Sequence, residues 1–315
     1  MIDLHCDALL KWSRDPEHRL RKNDAQIDFE KMRRGGQWAQ CFAVYTPACE
    51  EGVDIPYMDF YRRMVTYFRE AMAANADIVA PALTAGEIVR NRDAGKLSAI
   101  LTVEDSIELE GDIKRLDEFW ADGVRMASLT WNYENSLAYP NSFDPDEMKR
   151  GLKDFGFECL ERMNELGIVA DVSHLSEGGF WDIAKHSKKP FAASHSSARA
   201  LCDHSRNLSD EQLRAIGETG SVVGTNYYSY FLVKGCEHSR ISDIVRHMDY
   251  MRQKAGIDAV ALGSDFDGMD CTLELENCSH LPRLVDALSA RFTDGEIEKI
   301  CWTNALRLFR DVIGE

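Results

Sequence analysis

Short apolar stretches alternate with longer amphipathic ones along the whole chain, and Pro, Gly and Asn punctuate the joints. Strand-length and helix-length segments in strict alternation predict βα units that lie side by side in a parallel sheet. Strands are predicted at residues 2–7, 38–45, 98–104, 124–130, 168–174, 191–195, 221–227 and 259–265. Helices are predicted at residues 57–75, 84–94, 113–122, 145–166, 176–185, 209–218 and 241–255, with a last pair at 281–291 and 294–312. Thr84, Ser176, Ser209 and Thr293 stand as N-caps, and Glu87 and Glu296 complete capping-box spacings. Gly167, Gly220 and Gly256 sit where C-terminal caps belong. With no linker, repeat or low-complexity tract between them, eight βα units predict one α/β domain, a TIM (β/α)8 barrel over residues 1–315. An open doubly wound sheet is the competing arrangement.

Composition narrows the class. Of the 315 residues, 44% are hydrophobic and 29% charged, as in soluble globular proteins, and no apolar run approaches the roughly 18 residues a membrane span needs. The N-terminus lacks the basic segment and long apolar run of a secretory signal, so the expected compartment is the cytoplasm. Nine scattered cysteines without a CxxC pair fit reduced thiols better than a disulfide framework or a thiolate zinc site. A formal charge of −16 with no basic stripe argues against nucleic acid as a partner. No GxGxxG or Walker loop supports a nucleotide cofactor.

The polar residues carry the candidate chemistry. In the first strand His5 and Asp7 project to the same face, where an imidazole and a carboxylate together suit a divalent metal. Active sites of TIM barrels form at the C-terminal ends of the strands, and here those ends are rich in ligand-type residues. Strand three ends in Glu104 and Asp105, strand five in Asp171, Ser173 and His174, strand six in Ser194 and His195, and strand eight in Asp265 and Asp267. Each has an ordinary alternative: Glu104 could cap a helix, Asp265 or Asp267 could form an Asx turn before Gly268, and a single strand-end histidine is commonly structural. Five such placements at one end of one barrel point to a metallohydrolase site. His18, His186, His204, His238, His247 and His280 fall on predicted helices or loops and are expected at the surface. Tyr57, Phe60, Tyr61, Tyr67 and Phe68 form a helix-packing face.

As a set, these blocks resemble those of the membrane (renal-type) dipeptidases, a branch of the amidohydrolase-like zinc barrels. The resemblance runs nearly end to end through His5-Cys6-Asp7, Thr102-Val103-Glu104-Asp105-Ser106, Asp171-Val172-Ser173-His174, Ala193-Ser194-His195-Ser196-Ser197-Ala198, Ser205-Arg206-Asn207, Gly263-Ser264-Asp265-Phe266-Asp267-Gly268 and the closing Asn304-Ala305-Leu306-Arg307-Leu308-Phe309. It implies two Zn2+ ions per chain, one held by His5 and Asp7, the other by His174 and His195, with Glu104 bridging them and a metal-bridging hydroxide as nucleophile. It further implies that Asp265 handles the proton delivered to the leaving amine and holds the substrate ammonium, and that Arg206 grips the dipeptide carboxylate. A family tyrosine that assists this grip falls within Asn226-Tyr227-Tyr228-Ser229-Tyr230, with Tyr227 and Tyr230 as candidates.

One block departs from the family. Many members carry a histidine after the fourth strand to polarise the carbonyl; this chain reads Leu129-Thr130-Trp131-Asn132-Tyr133-Glu134-Asn135, with Trp131 in the histidine's place. Asn132 is a candidate donor in its stead and Trp131 a candidate pocket wall. The HxH pair and strand-four lysine of other binuclear amidohydrolases are missing, which weighs against deaminase or phosphotriesterase chemistry. The expected function is a zinc-dependent dipeptidase acting on free dipeptides, including those with a C-terminal D-residue. The alternatives are a binuclear metal amidase or lactonase on another acyl substrate, or a non-catalytic binding protein on the same barrel. The C-terminus lacks the apolar tail of a lipid-anchor signal, so no membrane partner is expected, whereas a homodimer is the family's expectation.

Overall fold

A computed structural model describes residues 1–14, 19–47 and 55–315. His18 and Cys49 lie outside them. Eight strands form the barrel: β1 (Ile2–Asp3), β2 (Ala39–Tyr45), β3 (Leu97–Glu104), β4 (Val124–Ser128), β5 (Val169–Asp171), β6 (Ala192–Ser196), β7 (Val222–Thr225) and β8 (Val260–Leu262). Every neighbouring pair is parallel. The sheet closes on itself because β8 pairs with β1, and β2 pairs with β3 from Ala39↔Ser98 to Tyr45↔Glu104. The predicted barrel is therefore the observed one, and the open sheet is excluded. An extra strand, Val79–Pro81, adds to β3 beside Leu97.

One apolar cluster locates the floor of the barrel. Ile2, Cys41, Ile100, Met126, Val169, Ala192, Val222 and Ala261, one from each strand, pack with Ala305, Leu308 and Phe309 of the final helix, Asn304–Ile313. That helix seals the end opposite the strand C-termini, so chemistry is confined to the other mouth. The interior is narrow: a Cβ added to Gly224 or Gly263 would lie 2.0 or 1.9 Å from the Ser194 carbonyl oxygen, so only glycine fits at either position.

Several strands stop earlier than their apolar pattern suggests. β1, β5 and β8 end at Asp3, Asp171 and Leu262, and the chain then turns with His174 at φ 68° and Asp265 at φ 63°. Such left-handed conformations cost on the order of 1 kcal/mol or more in a non-glycine residue and cluster at functional sites. The predicted helix 145–166 is two helices, Pro145–Met148 and Asp154–Leu166. Gly151 and Leu152 between them are pinned to Asp182, whose carboxylate accepts the Leu152 N–H at 2.8 Å and leaves no room for a side chain on Gly151. The final predicted helix is continuous but carries a π-turn at Lys299–Thr303. Two short helices near the start, Ala8–Arg14 and Phe29–Arg34, are additional to the predicted elements. All eight described cysteines are free thiols, and no helix among the described residues is long and apolar enough to cross a membrane.

His247 corrects one surface expectation, being fully buried on the helix Ile241–Ala255. Its Nδ1 accepts the Ala198 N–H at 3.1 Å and its Nε2–H donates to the Leu232 carbonyl at 2.9 Å. Burial pushes its pKa down to about 4 from an ordinary 6.5, helped by the Arg246 charge and opposed by the Leu232 bond. With the folded value below the unfolded one, its stabilising contribution is complete above pH 6.5 and is lost as pH falls towards 4. His247→Gln, which can keep one acceptor and one donor, is expected to remove about 2 kcal/mol of the wild type's stability loss between pH 7 and 5. Urea unfolding at the two pH values measures it, and equal losses in both proteins would refute it.

Candidate metal centre

Seven of the polar residues singled out by the sequence converge at the mouth of the barrel. His5 Nε2 lies 3.4 Å from Asp7 Oδ2, 3.6 Å from Glu104 Oε2 and 4.0 Å from Asp265 Oδ1. The other Glu104 oxygen, Oε1, lies 3.0 Å from His174 Nε2 and 3.4 Å from His195 Nε2. Glu104 thus stands between two groups of donors with one carboxylate oxygen turned to each. The His5 and His195 rings stack at 3.9 Å between centroids. Arg206 is buried nearby, with Nη2 donating to the His195 carbonyl at 3.3 Å and Nε left without a partner.

The electrostatics of this cluster are those of a site short of positive charge. Burial disfavours the charged form of His5, yet Glu104 and Asp7 outweigh it and hold its pKa well above the usual value. Burial and then Glu104 push Asp7 up to about 7, and burial pushes Asp265 up to about 6 against the pull of His5. Glu104 is driven the other way: burial opposes its charge, but the His5 charge beside it holds its pKa well below normal. His174 falls to about 3 and His195 well below its usual value, both mainly through burial, so both imidazoles are neutral, as a metal ligand must be.

The donor set fits metal cations on three counts. His174 Nδ1 faces the Asn132 carbonyl oxygen at 2.8 Å and His195 Nδ1 faces the Ser194 hydroxyl at 2.7 Å, so both Nε2 atoms face inward, only 3.0 Å apart. His5 Nε2 and Asp7 Oδ1 are buried without a hydrogen-bond partner. His5, Glu104 and His195 form one group with ligand atoms in mutual reach, and His5, Asp7 and Asp265 form another. Imidazole and carboxylate donors in such groups are ordinary zinc ligands. Asp265 enters the second group, whereas the resemblance implies a proton-handling role for it.

Above the cluster opens a cavity of about 390 Å³. Asp7, Glu104, His174, Arg206 and Asp265 line its base, and Leu10, Tyr45, Trp131, Asn132, Tyr228, Phe231, Met269 and Asp270 form its walls. Trp131 packs between Tyr45 and Tyr133 at 5.0 and 5.5 Å, so the position where the resemblance leads one to expect a histidine is an aromatic wall. Asn132 lines the cavity, but its Oδ1 is committed to His174 and to the Asn141 amide at 3.2 Å, leaving only its Nδ2 to donate.

Neither candidate tyrosine reaches this cavity. Tyr227 is fully buried with its ring edge-on to Phe266, and Tyr230 lines a separate depression with Phe143 and His204. The tyrosine of the Asn226–Tyr230 run in the wall is Tyr228, whose hydroxyl donates to Asp270 at 2.8 Å. Asn226, which donates to Asp265 Oδ2 at 3.0 Å, is a further site residue of the same run that the strand-end pattern does not single out. Asp267 is structural, its carboxylate accepting the Gln26 and Ile27 N–H groups at 2.8 and 3.2 Å. Asp105 accepts the Asn135 amide at 2.9 Å and so fastens the loop that carries Trp131 and Asn132.

Comparison with known proteins agrees with this architecture. An uncharacterized protein from the pqqA 5' region of Klebsiella pneumoniae is 36% identical over 267 residues, covering 81% of this chain and 97% of that protein. An uncharacterized dipeptidase of Schizosaccharomyces pombe is 31% identical over 305 residues, covering 91% and 72%. The crystal structure of a metallo peptidase from Rhodobacter sphaeroides, liganded with a phosphinate mimic of the dipeptide L-Ala-D-Ala, superposes with a TM-score of 0.91 at 26% identity, covering 99% of this chain and 98% of that one. The profile of the membrane dipeptidase family, peptidase family M19, matches residues 1–313. With the family profile spanning the barrel and its donor cluster, the chain belongs to the M19 membrane dipeptidases and is a metallo-dipeptidase, a hydrolase of peptide bonds.

Proposed function

We propose that the chain hydrolyses free dipeptides with two zinc ions at the mouth of the barrel, and that it accepts a D-residue at the C-terminal position. The observation that carries this reading is the division of Glu104, one oxygen towards His5 and the other towards His174 and His195, beside an Arg206 with an unsatisfied buried donor. His5 and Asp7 would hold one ion, His174 and His195 the other, with Glu104 shared. Bound there, two divalent cations supply Lewis acidity to the scissile carbonyl and a water that ionises near neutral pH.

The chain's own groups do the rest. Arg206 presents a planar fork to the substrate carboxylate and fixes the peptide against the cluster. Asp265, with its pKa pushed to about 6, is ionised at neutral pH yet readily protonated. It takes the proton released as water attacks the carbonyl carbon and returns it to the amine nitrogen as the C–N bond breaks. Asn132 donates its free amide N–H to the developing oxyanion, while Trp131 and Tyr45 exclude water from one side. The D-residue reading is supported by the L-Ala-D-Ala mimic held by the Rhodobacter sphaeroides relative.

A panel of L,L and L,D dipeptides assayed before and after chelation tests this. Hydrolysis of both series, abolished by chelator and restored by zinc, is expected. Undiminished turnover after verified metal removal would refute the metal reading, and turnover of L,L substrates alone would refute the stereochemical one.

A further inference from the structure

The family blocks Asp171-Val172-Ser173-His174 and Ala193-Ser194-His195-Ser196 give roles to their histidines and leave the other polar residues without one. We propose that Asp171 and Ser194 are positioning residues that fix the tautomer of His195 so that only its Nε2 lone pair faces the metal centre. The inference rests on reading His195 as a ligand.

Asp171 is buried at the end of β5. Its Oδ1 accepts the backbone N–H groups of Ser173 and Ser194, each at 2.9 Å, and its Oδ2 accepts the Ser194 hydroxyl. Both Asp171 oxygens thus act as acceptors, and the Ser194 O–H points towards the carboxylate. The lone pairs of Ser194 Oγ are then free for His195 Nδ1, 2.7 Å away, and Nδ1 must carry the ring hydrogen. Ser173 completes the set, its Oγ accepting the His195 N–H at 3.1 Å and donating to Ser194 Oγ at 3.2 Å. Each hydroxyl in the chain has one direction open to it. The backbone is closely packed as well, since the Ser194 carbonyl oxygen occupies the space that a Cβ on Gly224 or Gly263 would need.

His174 is held by different means. Its Nδ1 meets the Asn132 carbonyl oxygen, the single acceptor atom of an exposed amide at the mouth. A carboxylate offers acceptors on both sides and cannot be reversed. The two neighbouring imidazoles therefore differ in rigidity: His195 is locked from within the barrel, and His174 is oriented from the loop that also walls the substrate cavity.

Asp171→Asn makes the test specific. Two backbone N–H groups would hold the new amide oxygen in the Oδ1 place and turn its NH2 towards Ser194. The Ser194 proton would then swing to His195 Nδ1 and leave a hydrogen on Nε2, aimed at the metal site. Ring-15N histidine NMR of the metal-free protein is expected to show His195 protonated on Nδ1 in the wild type and on Nε2 in D171N, with the resonance assigned by its loss in His195→Asn. Competition with a chromogenic chelator for Co2+ is expected to show affinity reduced about 10- to 100-fold in D171N and in Ser194→Ala. Wild-type affinity in either folded variant, or a wild-type His195 protonated on Nε2, would overturn the proposal. The wild-type tautomer decides even if neither variant folds. If His195→Asn binds Co2+ as the wild type does, the ligand reading fails; if it loses affinity while D171N and S194A keep theirs, only the positioning role fails.

Discussion

Glu104→Gln is expected to reduce dipeptide hydrolysis by roughly 10³- to 10⁴-fold, the rate equivalent of losing several kcal/mol of metal-assisted stabilisation. Glutamine preserves the length and shape of the side chain but replaces one carboxylate oxygen with an N–H donor. Whichever way the amide turns, one of the two donor groups then faces a hydrogen: either His5 at 3.6 Å, or His174 and His195 at 3.0 and 3.4 Å. The shared negative charge that both groups need is also gone. Metal analysis of the purified variant should show fewer bound ions than in the wild type, while the melting temperature of the metal-free protein separates loss of the site from loss of the fold. A variant with full metal content and wild-type turnover would show that Glu104 is not the shared ligand.

Arg206→Ala has the second largest expected effect, roughly 30- to 4000-fold in kcat/KM for dipeptides. This corresponds to the ~2 to 5 kcal/mol typical of removing one partner of a buried charged pair. The guanidinium is buried, its pKa is lowered to about 10 mainly by that burial, and its Nε has no protein partner. A buried, unsatisfied cationic donor at the base of a cavity is stabilised when an anionic group arrives, and a dipeptide carboxylate fits its planar fork. Arg206→Lys keeps the charge but not the fork, so its activity should lie between those of the wild type and R206A. Metal content should stay at the wild-type level in both. The same pair of variants separates a dipeptidase from an amidase or lactonase working with the same cluster, because an acyl substrate without a carboxylate would be turned over equally by the wild type and R206A. Equal loss on both substrate types would show that Arg206 supports the fold of the site and not substrate binding.

Much of the barrel was legible because its signals are local. Apolar runs separated by amphipathic stretches report strands and helices through the two side-chain periodicities, and Thr84, Ser209 and Thr293 cap their helices as their spacing suggests. The positions of His5, Glu104, His174 and His195 at strand ends follow from the same pattern, since the mouth of a closed parallel barrel is where all strand C-termini meet. Long-range contacts left no such trace. Nothing near Gly151 announces that Asp182, thirty-one residues on, breaks the helix predicted there, and nothing around His247 shows that Ala198 and Leu232 will enclose it.

The choice among Tyr227, Tyr228 and Tyr230 shows where the boundary lies. β7 stops at Thr225, and the Asn226 side chain then accepts the Tyr228 N–H at 2.6 Å, bending the chain so that Tyr227 goes into the core and Tyr228 to the cavity. Residue order alone determined that ligand-type side chains occur at successive strand ends, because periodicity is written along the chain. Which oxygen of Glu104 faces which imidazole, which tyrosine of the Asn226–Tyr230 run lines the cavity, and which hydroxyl meets His195 Nδ1 were decided only when strands distant in sequence closed into a ring. Those relations depend on distances between neighbours that the covalent chain does not connect.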